Sequence, residues 1–169
     1  MDWQATKAVP WGILLLFGGG LALAKGFEVS GLSAWIGSRS EALAGAPAAG
    51  LVASVVAIVA GLTELTSNTA TASMSLPIMA SLARAIGAHP LLLMIPAALA
   101  ASCAFMLPVA TPPNAIVYGS NRVPITEMIK AGLIMNVVAV VLITALVFTL
   151  GSVVFDMGGP FPEWAVAGP

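Results

Sequence analysis

Two polar runs interrupt stretches of chain that are otherwise almost free of charge. The first is Thr63-Glu64-Leu65-Thr66-Ser67-Asn68-Thr69-Ala70-Thr71, and the second is Val109-Ala110-Thr111-Pro112-Pro113-Asn114. Where a helix ends, up to four carbonyls lack an intrahelical partner, and where the next begins, up to four N–H groups do. Unwound carbonyls suit a small hard cation such as Na⁺. Helix N-termini, at the positive end of the dipole, suit a carboxylate or similar anion. Ser67, Asn68, Thr69 and Thr111 add hydroxyl and amide groups that can bind either ion. Neither run contains Lys or Arg. An anion there would be held by dipoles, amides, hydroxyls and the charge of a bound cation.

Proline sets the second interruption. Pro108 lacks an N–H, and Pro112 and Pro113 push the residues before them away from α geometry. The preceding helix, Leu91–Leu107, is expected to end near Ala110, with a restart near Pro113 or Asn114 and a second limb over Ala115–Gly119. Taken singly, Ser-Asn-Thr reads as an N-cap and Thr-Pro-Pro-Asn as a surface turn. Taken together they read otherwise, because surface turns are not flanked on both sides by so little charge. Glu64 is expected to pair with backbone at the tip of the first run rather than to ligate a cation. His89, beside Pro90, is expected as an exposed connector residue, and Cys103 as packing on an apolar helix.

The elements that position these runs follow from composition. The 169 residues are 59% hydrophobic and 8% charged, with six Lys or Arg against seven Asp or Glu. Soluble domains carry about 25% charged residues, and the mean hydropathy here is +1.03. Too little charge is present to coat a water-soluble globule, which leaves an integral membrane protein. Disorder requires the opposite composition. A net charge of −1 without a basic patch argues against nucleic acid as a partner. The single cysteine allows no internal disulfide. An intramembrane serine protease would need a Ser–His pair, and the sole histidine lies in a connector, so no enzyme is expected and no catalytic residue or cofactor is assigned.

Ala131–Phe155 is 25 residues without charge until Asp156 and without proline, enough for a helix to cross about 30 Å of hydrocarbon. Val9–Ala24 is a shorter candidate span, and residues 27–43 pattern as an amphipathic interfacial helix. Around the first polar run, Leu51–Gly61 reaches only about 16 Å as helix, and Ala72–Ile86 contains Pro77. Neither limb spans a bilayer comfortably. The expected form is a re-entrant helical hairpin over 48–86, with its polar tip tolerated only inside protein or beside water. A discontinuous helix over 90–119 and a final span over 125–155 complete the reading. Residues 1–46 then hold a scaffold span and interfacial helix, 47–156 the transport-domain half with hairpin, broken helix and final span, and 157–169 a loose tail. Discontinuous helices meeting at mid-membrane are the usual substrate site of a secondary transporter.

At these breaks the sequence resembles the divalent anion:sodium symporters, which carry dicarboxylates, citrate or sulfate. The matching stretches are Pro10–Ala22 (PWGILLLFGGGLA), Leu62–Thr69 (LTELTSNT) and Ala101–Val117 (ASCAFMLPVATPPNAIV). The resemblance implies an all-α integral membrane fold, here the second of two inverted repeats of an elevator-type transporter. It implies that Ser67, Asn68, Thr69, Thr111 and Pro112 meet substrate. It places sodium ligands at Thr63, Thr66, Asn68 and Ala110, and makes Na⁺ the coupling ion. It also implies a homodimer in the cell (inner) membrane, and a first repeat, with its own Ser-Asn-Thr hairpin and sodium site, that this chain does not contain. The chain is therefore expected to be a fragment, the C-terminal half of such a carrier. An arsenite or Na⁺/H⁺ carrier of related type, with Glu64 as its buried acid, and a non-transporting assembly fragment are the alternatives.

Overall fold

Six helices and one π-helical turn make up residues 47–157, which the computed structural model describes continuously; beyond them it describes scattered positions among residues 11–35, and Pro162 and Ala165. No strand occurs among the described residues. The proposed span Val9–Ala24, the interfacial segment 27–43 and the tail 157–169 lie outside the described residues apart from those scattered positions and Met157.

Helix α1 covers Ala48–Thr63 and α2 covers Asn68–Ala85. The link between them is four residues, Glu64–Ser67, and not the nine-residue run expected. Ser67 is the reason. Its hydroxyl accepts from the Ala70 N–H at 3.2 Å, so the chain becomes helical at Asn68 and absorbs Asn68-Thr69-Ala70-Thr71 into the first turn. At the other end, Gly87 adopts φ +67. The Ala88 N–H bonds to the Ala83 carbonyl at 2.9 Å and the Gly87 N–H to the Arg84 carbonyl at 3.2 Å. That pairing stops α2 in a Schellman turn, which needs a residue free to take positive φ.

Helix α3 covers Pro90–Ala100, with proline at its first position, where the missing N–H costs nothing. His89 is its N-cap, accepting from the Leu91 N–H on Nδ1 at 3.2 Å, and is buried. This corrects the expectation of an exposed connector residue. Helix α3 also ends about ten residues sooner than expected. Residues 101–111 are non-helical, and α4 restarts at Pro112 and runs to Gly119. Cys103 thus sits in the break, half-buried, and not on a helix.

Helix α5, Ile125–Leu146, runs through a π-helical turn, Val147–Gly151, into α6, Ser152–Phe155. Together they form one apolar rod of 31 residues with mean hydropathy 2.7, long enough to cross a membrane. Only 11% of its most apolar window is buried against the rest of the chain. Leu133, Ile134, Val137, Val138, Val141 and Leu142 face outward.

The core sits where α1, α3 and α5 meet, with α2 packed on α3. In α1, Val52, Val55, Val56, Val59 and Thr63 recur at three- and four-residue steps and are all buried. That spacing puts them on one face of the helix. They meet Leu93, Ala97 and Ala100 of α3 and Ile143 and Val147 of the rod. The small residues in α3 let the helices approach closely. Gly132 carries this furthest. A Cβ there would lie 2.5 Å from the Phe105 carbonyl oxygen and 2.6 Å from the Met106 Cα. Backbone cannot yield as a flexible side chain does, so Gly132→Ala should cost about 1–3 kcal/mol. A drop in the thermal unfolding midpoint of the purified protein is the expected result. An unchanged midpoint would show that the loop is not seated against α5 there.

Candidate functional site

The two breaks are bound to each other, and Glu64 is the main fastener. It closes α1 and is 4% exposed, whereas the other charged side chains among the described residues are exposed. An ionised carboxylate is an acceptor only, and every partner of this one is a donor. Oε1 accepts from the backbone N–H of Phe105 at 2.8 Å, of Met106 at 3.0 Å, and from Asn136 Nδ2 at 2.9 Å. Oε2 accepts from the N–H of Met106 at 3.0 Å and of Leu107 at 3.1 Å. Three consecutive N–H groups pointing at one anion cannot also be in an α-helix. This is why α3 stops at Ala100, ahead of the prolines. Glu64 pairs with backbone, as its apolar surroundings require, but with backbone 41 to 43 residues away instead of its own turn.

Thr63 makes a second tie. Its hydroxyl donates to the Ala101 carbonyl at 2.7 Å and lies 2.9 Å from Asn68 Oδ1. One hydroxyl carries one proton, so both contacts are satisfied when the Asn68 amide is turned to present Nδ2 to Thr63 Oγ1. Thr66 lies on the exposed side of the tip. Its hydroxyl donates to the Leu62 carbonyl at 3.0 Å and lies 2.5 Å from the Thr71 hydroxyl. Ser67 and Thr69 are exposed and Asn68 is half-buried, at the N-terminus of α2. That first turn presents a helix N-terminus with three polar side chains around it.

In the second break Asn114 does the holding. Its Nδ2 donates to the Ala104 carbonyl at 2.9 Å and the Leu107 carbonyl at 3.1 Å. Thr111 caps α4, accepting from the Asn114 N–H at 3.4 Å. Pro112 and Pro113 have no N–H to offer the carbonyls of Pro108 and Val109 four residues back, and the Asn114 N–H that could reach Ala110 turns to Thr111 instead. Ala110 is buried, Thr111 half-buried and Pro112 exposed. The break therefore supplies backbone carbonyls that its own sequence cannot consume, beside a fresh helix N-terminus.

Of the residues singled out in the sequence, Thr63 and Asn68 touch each other. Thr66 bonds within the tip, while Ala110, Thr111 and Pro112 lie just past the segment that Glu64 holds. Sequence reasoning missed Asn136, Gly132, Ala101 and the hold of the Asn114 amide on the Ala104 and Leu107 carbonyls. The signal for the first two was present: a glycine and an asparagine four residues apart in an otherwise apolar span lie on one helix face. Ala101, which acts through its backbone carbonyl, had no such signal. Among the described residues no cluster of three or more His, Cys, Asp or Glu could hold a metal ion.

Comparison with known proteins gives the family. The family model for the sodium:sulfate symporter transmembrane region matches residues 1–157. The sodium-dependent dicarboxylate transporter SdcS of Staphylococcus saprophyticus is 49% identical over 164 residues, which cover 96% of this chain and 32% of that protein. SdcS of Staphylococcus aureus strain MRSA252 gives the same figures. The chain thus spans about a third of the length of the curated relatives it matches, and those relatives are transporters rather than enzymes. A match across nearly its whole length makes this integral protein of the cell membrane a member of the sodium:sulfate symporter family, the divalent anion:sodium symporters.

Proposed function

We propose that this chain supplies one repeat of a secondary transporter that couples Na⁺ to the uptake of divalent anions, dicarboxylates foremost, with citrate and sulfate as the other substrates. The observation that carries the reading is the fastening of two helix breaks by one buried carboxylate. It ties the loop that leads into the second break to the residue that closes α1, four residues before α2 begins, in a chain of membrane composition. Na⁺ would take oxygen from Thr63, Thr66, Asn68 and Ala110. The anion would meet Ser67, Asn68, Thr69, Thr111 and Pro112. Sodium binding first would order the tip and add positive charge where no Lys or Arg is present, and that supplies the coupling.

In this reading α1 and α2 form a re-entrant hairpin, and hairpin, broken helix and final span move together past a scaffold, as an elevator. The working unit pairs this repeat with another carrying its own tip, and is a homodimer. A proton carrier using Glu64 is disfavoured: each oxygen of Glu64 already faces donors, whereas a protonated carboxyl needs an acceptor for its own O–H.

The test is uptake of labelled succinate, citrate and sulfate by proteoliposomes holding a full-length transporter that contains this segment, with and without an inward sodium gradient. Sodium-driven uptake of one of the three is expected. Uptake indifferent to sodium, or driven by a proton gradient alone, would overturn the reading. The double substitution Pro112→Ala with Pro113→Ala probes the cation ligands. It restores N–H groups opposite the Pro108 and Val109 carbonyls and lets α4 begin a residue or two sooner, which turns the Asn114 N–H from Thr111 to the carbonyl of Ala110, the ligand proposed in this break. Glu64 still keeps residues 105–107 out of helix, so the fold should survive. The sodium concentration for half-maximal uptake should rise roughly tenfold, the loss of about 1.4 kcal/mol, at near-normal abundance. An unchanged sodium titration would remove the cation from this break.

A further inference from the structure

We infer that Asn136 of α5 is a positioning residue, which fixes the geometry of the ion site by orienting the Glu64 carboxylate; the inference rests on the reading of the two breaks as that site. Asn136 lies inside the apolar rod and is 8% exposed. Its Nδ2 donates to Glu64 Oε1 at 2.9 Å, a buried bond across 72 residues. Its Oδ1 is buried and has no hydrogen-bond partner. A leucine or valine here would fill the space without an orphaned acceptor, so packing alone does not account for an asparagine. What the asparagine adds is a donor.

Gly132, one turn earlier on the same face, is where the backbone of Phe105 and Met106 rests against α5. The three backbone donors to Glu64 therefore come from a loop seated on α5, and the fourth comes from α5 itself. Three donors in a row fix the height of the carboxylate along the loop but leave it free to swing about that line. The Asn136 amide, arriving from another element, stops the swing. Thr63 precedes Glu64 in the chain, and Ala110 follows Leu107 by three residues. A shift of the carboxylate is transmitted to both ends of the proposed sodium ligand set.

The test uses a full-length transporter containing this segment, in proteoliposomes. Asn136→Ala should raise the sodium concentration for half-maximal uptake roughly tenfold, with the maximal rate per transporter within about twofold of wild type. A purely structural role would lower the amount of folded protein and leave the half-saturating concentration alone. That outcome overturns the inference. If Asn136→Ala leaves too little protein in the membrane, Asn136→Leu decides. Leucine fills nearly the same volume and donates no hydrogen bond. Half-saturating sodium for Asn136→Leu should again rise roughly tenfold.

A wild-type half-saturating sodium concentration in these variants overturns the inference. Absence of sodium-driven uptake by the wild type would instead overturn the functional reading on which it rests, so the two failures are told apart.

Discussion

Glu64→Ala should unfasten the two breaks. The substitution leaves three backbone N–H groups and the Asn136 amide without the acceptor they share. Each buried donor left unpaired costs about 1–3 kcal/mol. The loop can relax toward open space and recover part of this, so a net loss on the order of 4 kcal/mol is expected. Against a native stability of about 5–15 kcal/mol, that is enough to lower the amount of folded protein several-fold. Sodium-driven uptake should vanish even after correction for abundance, because the carbonyls of the second break lose their fixed place beside the tip. Glu64→Gln keeps the shape but offers one acceptor oxygen and turns an NH₂ toward N–H groups, so it should fall between alanine and wild type. The measurements are unfolding midpoint and uptake per folded transporter. A wild-type midpoint for Glu64→Ala would mean that the carboxylate does not hold the breaks together.

The same residue explains what could and could not be read from the sequence. The rod over residues 125–155 was legible because its signal is local: apolar residues in an unbroken run, without proline. The first break was legible as a polar interval between limbs too short to span. Its extent was misjudged because Ser67 starts α2 at Asn68 and draws half the interval into helix. The second break was located by its prolines, yet α3 ends near Ala100, well before them. Nothing in Ala101–Leu107 marks a helix end. The instruction comes from a carboxylate more than 40 residues earlier, and periodicity within one segment cannot reveal a competitor in another. His89 went the same way: beside Pro90 it looks like a loop residue, but as the N-cap of α3 it is packed away. Among the groups that tie the breaks together, the backbone N–H groups of Phe105, Met106 and Leu107 and the Ala101 carbonyl gave no signal, since every residue type carries such groups.

Asn68 is where the sodium and anion roles coincide. Its amide offers one carbonyl oxygen for a cation and, beyond the N–H turned to Thr63 Oγ1, one further donor for a carboxylate, at the start of α2. Glu64 lies outside the proposed ligand set, so Asn68→Ala should leave its fastening of the breaks intact and remove the amide with its one bond to Thr63. The most direct measurement is a sodium titration of labelled succinate uptake by Asn68→Ala and wild type, in proteoliposomes of equal transporter content. The expected result is a rise in half-saturating sodium of at least about tenfold together with weaker succinate binding, a loss of at least about 1.4 kcal/mol from each, at an unchanged unfolding midpoint. Wild-type uptake with unchanged sodium dependence would contradict the assignment of this tip as the site where sodium and the anion meet.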